Sequence, residues 1–426
     1  MIRFMRDPLQ LYDDCHAAYG DLFLLQLGSN RMVMACAPEL VKAIYRADPD
    51  VLAGGAAKAK VFGPVVGYSS VLVLDGTAHL ERRRLLIPAF RGERMLAYTE
   101  LTRRATEELL PTWPLNQPFS LHPHVERIAM LAALRGIFGE DMDPRLPEVL
   151  SRVIRDAVGS RLLFMPKLQK NLGAWSPWGK VLAALANADV VLYSEIARRR
   201  REGTQGREDT LSLLVDATDE DGSKFSDRQL RDELVTLVAA GYEISGLALA
   251  WVFADILARP KVQAQIEAEI REVAGREPIS RNHATELRVL DAAIKESLRL
   301  HPPVSQGSVR LVQAPFELGG YTIPPGVTIS VNMHILHRRA DCYPDPLEFK
   351  LERFLGKNPE PDAWVPFGGG TRRCLGMQLA LHQFKVVIAT VLQQLRLEIA
   401  QPQILAKRRG AFMFPSGGPR VLARPR

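Results

Sequence analysis

The segment Phe367-Gly368-Gly369-Gly370-Thr371-Arg372-Arg373-Cys374-Leu375-Gly376 sets a single cysteine behind three glycines and two arginines. Glycine reaches positive φ without penalty, so successive N–H groups can converge on an anion, here a thiolate. The residues after Cys374 read as a helix whose N-terminus would face the sulfur and lower the thiol pKa. Arg372 and Arg373 add positive charge. A thiolate held this way is a nucleophile or a metal ligand. A structural zinc site needs clustered ligands, but Cys15, Cys36 and Cys342 are scattered and no cysteine or histidine lies close to Cys374 in sequence. A cysteine hydrolase needs a histidine brought in from elsewhere, which spacing alone does not exclude. A lone thiolate on a haem iron needs no second protein ligand and fits the loop best.

Other pairs have helical spacing. Glu296 and Arg299 share a helix face and can pair. His79 and Arg83 do the same one turn apart. In Ala240-Gly241-Tyr242-Glu243-Ile244-Ser245 a glycine and an acid sit inside an apolar helical run. Gly241 could leave room for a small ligand there.

The elements that must carry these residues are mostly helical. Leu22–Leu27 and Met32–Cys36 read as strands joined by a turn at Gly28-Ser29-Asn30. Pro38 opens a helix with Leu40, Val41 and Ile44 on one face. Residues 51–72 read as a long loop, and helical periodicity covers 78–110, 124–138, 145–165 and 180–202. Arg198–Arg201 reads as a solvated last turn that complements the helix dipole. A short helix is expected at Leu211–Val215. A long one follows from about Asp227 to Ala258, opened by the Ser226/Gln229 capping box and followed by Pro260. A further helix runs from about Thr285 to Leu300 and stops before Pro302-Pro303. Residues 308–335 alternate like strands, and a last helix runs from just after Cys374 to about Leu395. The fold class is mainly α with a small β region; length alone suggests two or three domains and allows a single large fold.

The cysteine loop resembles the haem-binding loop of the cytochromes P-450, the haem-thiolate monooxygenases. Phe367, Gly370, Arg372, Cys374 and Gly376 match every fixed position of that family's Phe-x-x-Gly-x-Arg-x-Cys-x-Gly pattern. The resemblance makes Cys374 the axial ligand of haem b, with Gly368 in the same loop. Glu296, Arg299 and Arg353 match the family's Glu-Arg-Arg network, which positions the loop and is not catalytic. His79, Arg83, Arg310 and Arg372 match partners of the haem propionates, and His337 sits where a further one can fall. Ala240, Gly241, Glu243 and Ser245 match the helix beside the oxygen site, where Glu243 is the acid of an acid–alcohol pair. The alcohol position holds Ile244, which cannot donate a hydrogen bond, and Ser245 lies about 100° further round the helix.

The resemblance covers nearly the whole chain and implies the triangular, haem-centred fold of the soluble bacterial members, as a single domain over residues 1–426. It implies insertion of one atom of dioxygen into a substrate, with electrons from NAD(P)H through an acidic ferredoxin and its reductase. The distal pocket would draw on Val61, Phe62, Val65, Val66, Ala239, Val304, Ser305 and Phe412. All but Ser305 are apolar, which suits a terpene, fatty acid or steroid-like substrate. A peroxide-driven peroxygenase and a non-catalytic haem sensor or carrier are the alternatives.

The 426 residues are 47% hydrophobic and 24% charged, which excludes a mainly disordered chain. Four cysteines exclude a disulfide scaffold and fit a cytoplasmic protein. The N-terminus lacks a signal-peptide pattern, and no run reaches the roughly 18 apolar residues of a membrane span, so no membrane anchor is expected. The net charge of +7 calls for an anionic partner; the assigned arginines direct it to haem propionates and an acidic ferredoxin, not to nucleic acid. A monomer is expected.

Overall fold

The computed structural model describes residues 2–426, apart from 29, 93, 160, 166–168, 174, 402–405 and 410–411; the Ser29 position of the expected turn lies outside the described residues. The first helices are α1 (Ile2–Arg6), α2 (Pro8–Tyr19), α3 (Pro38–Arg46), α4 (Ala56–Val66), α5 (Gly76–Leu86) and α6 (Arg94–Leu109). They are followed by α7 (His122–Phe138), α8 (Leu146–Gly159), α9 (Pro177–Glu202), α10 (Thr210–Asp216) and α11 (Asp227–Leu257). The remainder are α12 (Pro260–Val273), α13 (Arg281–Glu286), α14 (Arg288–Leu300), α15 (Met333–Leu336) and α16 (Met377–Gln394).

The main sheet joins β1 (Leu22–Leu27), β2 (Asn30–Ala35), β3 (Leu52–Ala53), β5 (Gln306–Val312) and β8 (Thr328–Asn332) in the order β1-β2-β8-β5-β3. A hairpin, β6 (Phe316–Leu318) with β7 (Tyr321–Ile323), lies between β5 and β8 in sequence. A three-stranded sheet holds β4 (Pro118–Ser120), β12 (Arg420–Pro425) and β9 (Leu395–Ile399), and a second hairpin pairs β10 (Ala406–Arg409) with β11 (Phe412–Pro415). The β5–β8 register slips between Gly307 and Arg310, where Ser308 takes φ 54°. Such a bulge re-aims the side chains beside it. Arg310 is one of them.

α11 is the centre of the helical part. The Ser226 hydroxyl accepts from the Gln229 N–H, and the Gln229 side chain answers at the Ser226 N–H, so the expected capping box forms. From Leu247 the helix is buried on all sides: Leu249, Trp251, Val252 and Phe253 are each 2% exposed or less. Each fully buried side chain of this kind contributes about 1.5–3 kcal/mol. By length and composition α11 could cross a bilayer, with a mean hydropathy of 1.6 in its most apolar stretch, contrary to expectation. Here it is the core helix, packed against α7, α9, α14 and α16. A smaller core under the main sheet gathers Leu40, Val41, Ile44, Ile329, Val331 and Val365.

Other expectations need correction. Residues 51–72 are not one loop, because α4 occupies their middle. Asp75 makes that helix possible: its carboxylate accepts from the N–H of Gly55 at 2.7 Å and of Ala56 at 2.6 Å, satisfying the helix start across the chain. Pro88 divides the 78–110 run, and Leu287 divides 285–300. The strands β9–β12 went unread because they follow the last helix in short segments. Arg199 is not solvated. It is fully buried, bonded to Asp209, Ser212, Glu195 and the Phe138 carbonyl.

Candidate functional site

Cys374 sits on a loop closed by its own N–H, which donates to the Phe367 carbonyl at 2.9 Å. Two glycines let the end of α3 close on this loop. A Cβ at Gly370, where φ is 62°, would fall 2.5 Å from the Tyr45 carbonyl oxygen, and one at Gly369 would strike the Tyr45 ring. Tyr45 is held in turn by its hydroxyl contact with Ser308, 3.0 Å away on the bulge. The thiol of Cys374 is accessible. Loss of solvation nevertheless pushes its pKa up, and the Gly376 N–H, Arg83 and Arg373 pull back only in part. The expected lowering is therefore reversed: desolvation outweighs the local donors. A thiolate at this position needs a bound cation to hold it. Among the described residues no cluster of three His, Cys, Asp or Glu side chains could supply a protein-only metal site.

The loop is anchored from behind. Arg299 and Glu296 are both fully buried; Nε of Arg299 donates to Oε2 at 2.7 Å and Nη2 to Oε1 at 2.8 Å. The other donors of Arg299 reach the carbonyls of His337 and Pro346, each at 2.7 Å, and of Glu348 at 3.1 Å. Arg353 Nε completes the expected trio at 3.2 Å from Oε1 of Glu296, which also accepts from the Lys350 N–H at 2.9 Å. His337 belongs to this anchor and not to the propionate partners. The Val365 N–H donates to its Nε2 at 3.0 Å, so Nδ1–H faces the Arg299 carbonyl at 3.2 Å. Burial and the neighbouring arginines push its pKa down to about 3, so it stays neutral. Trp364, absent from the sequence reading, donates its indole N–H to the Lys295 carbonyl at 3.1 Å. Contacts through His337 and Trp364 thus run from the buried ion pair to the start of the cysteine loop.

His79, Arg83, Arg310 and Arg372 come together as expected, joined by Lys58 on α4. Asp75 is the acid that meets them. Arg372 bonds it at 2.5 Å and also holds the Leu74 carbonyl. Among the described residues Arg310 has one hydrogen-bond partner, the Val309 carbonyl. Burial, then the neighbouring guanidinium groups, pull Lys58 down to about 7, and burial is also the main cause that brings His79 to about 4 and Arg372 to about 10. Arg310 and Arg83 are lowered by burial as well. One carboxylate does not balance this group, and two more on one ligand would. An accessible thiol close to Arg83, with under-neutralised cations beyond it, fits the sulfur ligation and paired propionates of haem b.

On α11 the expected residues separate. Ala240 is exposed within an otherwise largely buried helix, and Ile244 is half-buried. Gly241 instead turns toward α7, where an added Cβ would lie 3.7 Å from Cβ of Ala133, so the room it leaves is not beside Ala240. Ser245 is buried in the packing. Glu243, Glu126 and Arg155 each act by their charge on Tyr242.

Val61, Phe62, Val65 and Val66 share α4, packed on the same core as Ala239. The Met413 N–H donates to the Pro303 carbonyl at 2.9 Å, which sets Phe412 beside Val304. Ser305 faces elsewhere, toward Tyr12, Trp251 and His301. The loop after α4 is tied to α11: Ser69 N–H reaches Asp232 at 3.0 Å, and Glu233 accepts from the Val71 N–H at 2.8 Å and from Arg82 at 2.9 Å. Lys58, Arg82 and Glu233 gave no sequence signal, since each reads as an ordinary surface charge. Asp75 before Gly76 could have been found as a helix-start residue.

Residues 2–422 match the family described as Cytochrome P450. The chain is 31% identical over 433 residues to a protein named putative cytochrome P450 135B1 of Mycobacterium tuberculosis, covering 99% of this chain and 89% of that one. It is 34% identical over 413 residues to putative cytochrome P450 138 of the same species, covering 96% and 90%. Among solved structures, a retinoic acid-bound cyanobacterial CYP120A1 superposes with a TM-score of 0.88 at 22% identity, over 100% of this chain and 96% of that one. The cytochrome P450DA haem domain superposes with a TM-score of 0.85 at 21% identity, over 98% and 93%.

Proposed function

The chain belongs to the cytochrome P450 family, and from that premise we propose that it is a monooxygenase acting on an apolar small molecule such as a terpene, fatty acid or steroid-like skeleton. The family binds haem b through a cysteine thiolate. In this reading Cys374 is the ligand, Lys58, His79, Arg83, Arg310 and Arg372 hold the propionates, and Glu296, Arg299, Arg353 and His337 position the loop. The observation that carries the assignment is the accessible Cys374 thiol beside a cation group whose one carboxylate among the described residues is Asp75. Bound there, haem supplies the activation of dioxygen, one atom going to the substrate and the other to water with two electrons from NAD(P)H. A ferredoxin and its reductase deliver the electrons, and a cytoplasmic location is part of this reading.

The chain's own residues set the pocket and the protons. The apolar side chains of α4, with Ala239, Ala240, Ile244, Val304 and Phe412, exclude water and favour an apolar substrate. Ile244 holds no proton and orders no water. Protons must then come from water or a substrate hydroxyl, with Glu243 as the nearest acid on the helix. Ile244→Thr is expected to raise product formed per NAD(P)H oxidised and lower peroxide release. Equal ratios in the two proteins would remove this role from position 244.

The same isoleucine favours a second reading, in which peroxide is the oxidant. Turnover under ¹⁸O-labelled dioxygen, with ferredoxin, reductase and NAD(P)H, is expected to label the product. Product that carries oxygen only from added peroxide would establish the second reading, and no product from either oxidant would leave a haem carrier.

A further inference from the structure

A cavity of about 520 Å³ lies among α6, α7, α11 and α16. Cys374, Arg310, Ala240 and Ile244 do not line it. Its inner wall is Ala133, Leu237, Gly241 and Leu379, and the space left by the Gly241 side chain opens here. One stripe of α6 runs its length: Arg94, Ala97, Tyr98 and Leu101 recur at helical spacing and all face it.

Two polar side chains on that stripe have no carboxylate partner among the described residues. The Tyr98 ring lies against Gly136, where a Cβ would come within 2.8 Å of it, so the phenol is fixed in direction. Its hydroxyl has no hydrogen-bond partner among the described residues, and burial pushes its pKa up. Tyr98 is half-buried on the cavity wall. Arg94 stands one turn earlier, at the mouth. It donates to the backbone carbonyls of Glu208 and Asp209 but pairs with no carboxylate among the described residues.

The other charges at the mouth are engaged. Asp141 is held by Arg198 and Arg207, Asp209 by Arg199, Glu140 by Arg104, Glu100 by Arg103, and Arg135 by Glu108. The Glu208 side chain is exposed to solvent.

We propose that this cavity is a second ligand site, for an amphipathic monocarboxylate: the carboxylate accepts from Arg94 and Tyr98, and the apolar tail lies along Ala97, Leu101 and Leu237 toward Gly241. Side chains one helical turn apart are close enough to share one carboxylate. The volume falls in the range of small-molecule sites and exceeds what a diatomic gas or a few waters require.

Decanoate is the probe, titrated calorimetrically into haem-loaded protein whose distal pocket is filled with a saturating iron-binding phenylimidazole. Saturable binding of one decanoate is expected. Arg94→Gln should weaken it about tenfold or more, and Tyr98→Phe, which keeps the ring, about three- to tenfold. Ala97→Phe, which fills the cavity, should abolish it. On the unaltered protein, methyl decanoate should bind at least about tenfold more weakly than decanoate. No saturable binding beside the phenylimidazole overturns the proposal. So does decanoate affinity unchanged by Arg94→Gln and Ala97→Phe, or equal affinity for acid and ester.

Discussion

Replacing Arg299 by leucine is expected to destabilise the protein by about 3–5 kcal/mol, among the largest effects of any single substitution in the chain. Glu296, its partner, is fully buried and would be left, among the described residues, with Arg353 at 3.2 Å and the Lys350 N–H at 2.9 Å to answer it. The carbonyls of His337, Pro346 and Glu348 would lose their donor at the same time. Tyr343, whose ring lies 4.9 Å from the guanidinium, would lose a cation contact. Urea unfolding of the haem-free protein checks the figure, because it isolates the anchor from any haem contribution. A loss below about 1 kcal/mol would mean that the pair is not the structural anchor of the loop. Glu296→Leu with Arg299→Leu should recover part of the stability, since it removes the unpaired charge.

Lys58→Met is expected to have two effects of opposite sign. In the haem-free protein the Lys58 amine is pushed down to about 7 by burial and by Arg310 and Arg372. A base lowered in the folded state binds fewer protons there than when unfolded. Stability therefore rises with pH from about 7 toward the ordinary lysine value, and the penalty is full below 7. Methionine removes the penalty, so the haem-free variant should melt higher at pH 6.5 and show a flatter pH dependence. Haem binding runs the other way. Propionates favour the charged amine, so affinity falls as pH rises above about 7, and the variant should release haem about tenfold faster or more. Haem transfer to apomyoglobin at pH 6.5 and 9 measures both points. Equal release rates in the two proteins would take Lys58 out of the site.

What was legible in the sequence follows from locality. The Cys374 loop, the Glu296–Arg299 pair and the capping box at Ser226 are encoded within a few residues, and the loop, the pair and the capping box all stand in the structure. The group around Asp75 was half legible, because Arg83, Arg310 and Arg372 belong to motifs and Lys58 belongs to none. α4 was misread because glycine and valine content suggested a loop, whereas its start is satisfied by a carboxylate about twenty residues later. Gly241 and Ser305 were assigned by position, and the direction of a side chain around a helix or after a turn depends on packing that position does not carry. His337 was read as a further propionate partner; only the structure shows both ring nitrogens engaged by backbone groups.

The central claim is that Cys374 ligates haem iron as a thiolate. It is tested most directly by the absorption spectrum of the dithionite-reduced protein under carbon monoxide. The account predicts the strongly red-shifted Soret band of a thiolate-ligated haem in the purified protein, and its loss in Cys374→Ala. A reduced, carbonmonoxy protein with an unshifted Soret band, or a shifted band that survives in Cys374→Ala, would contradict it.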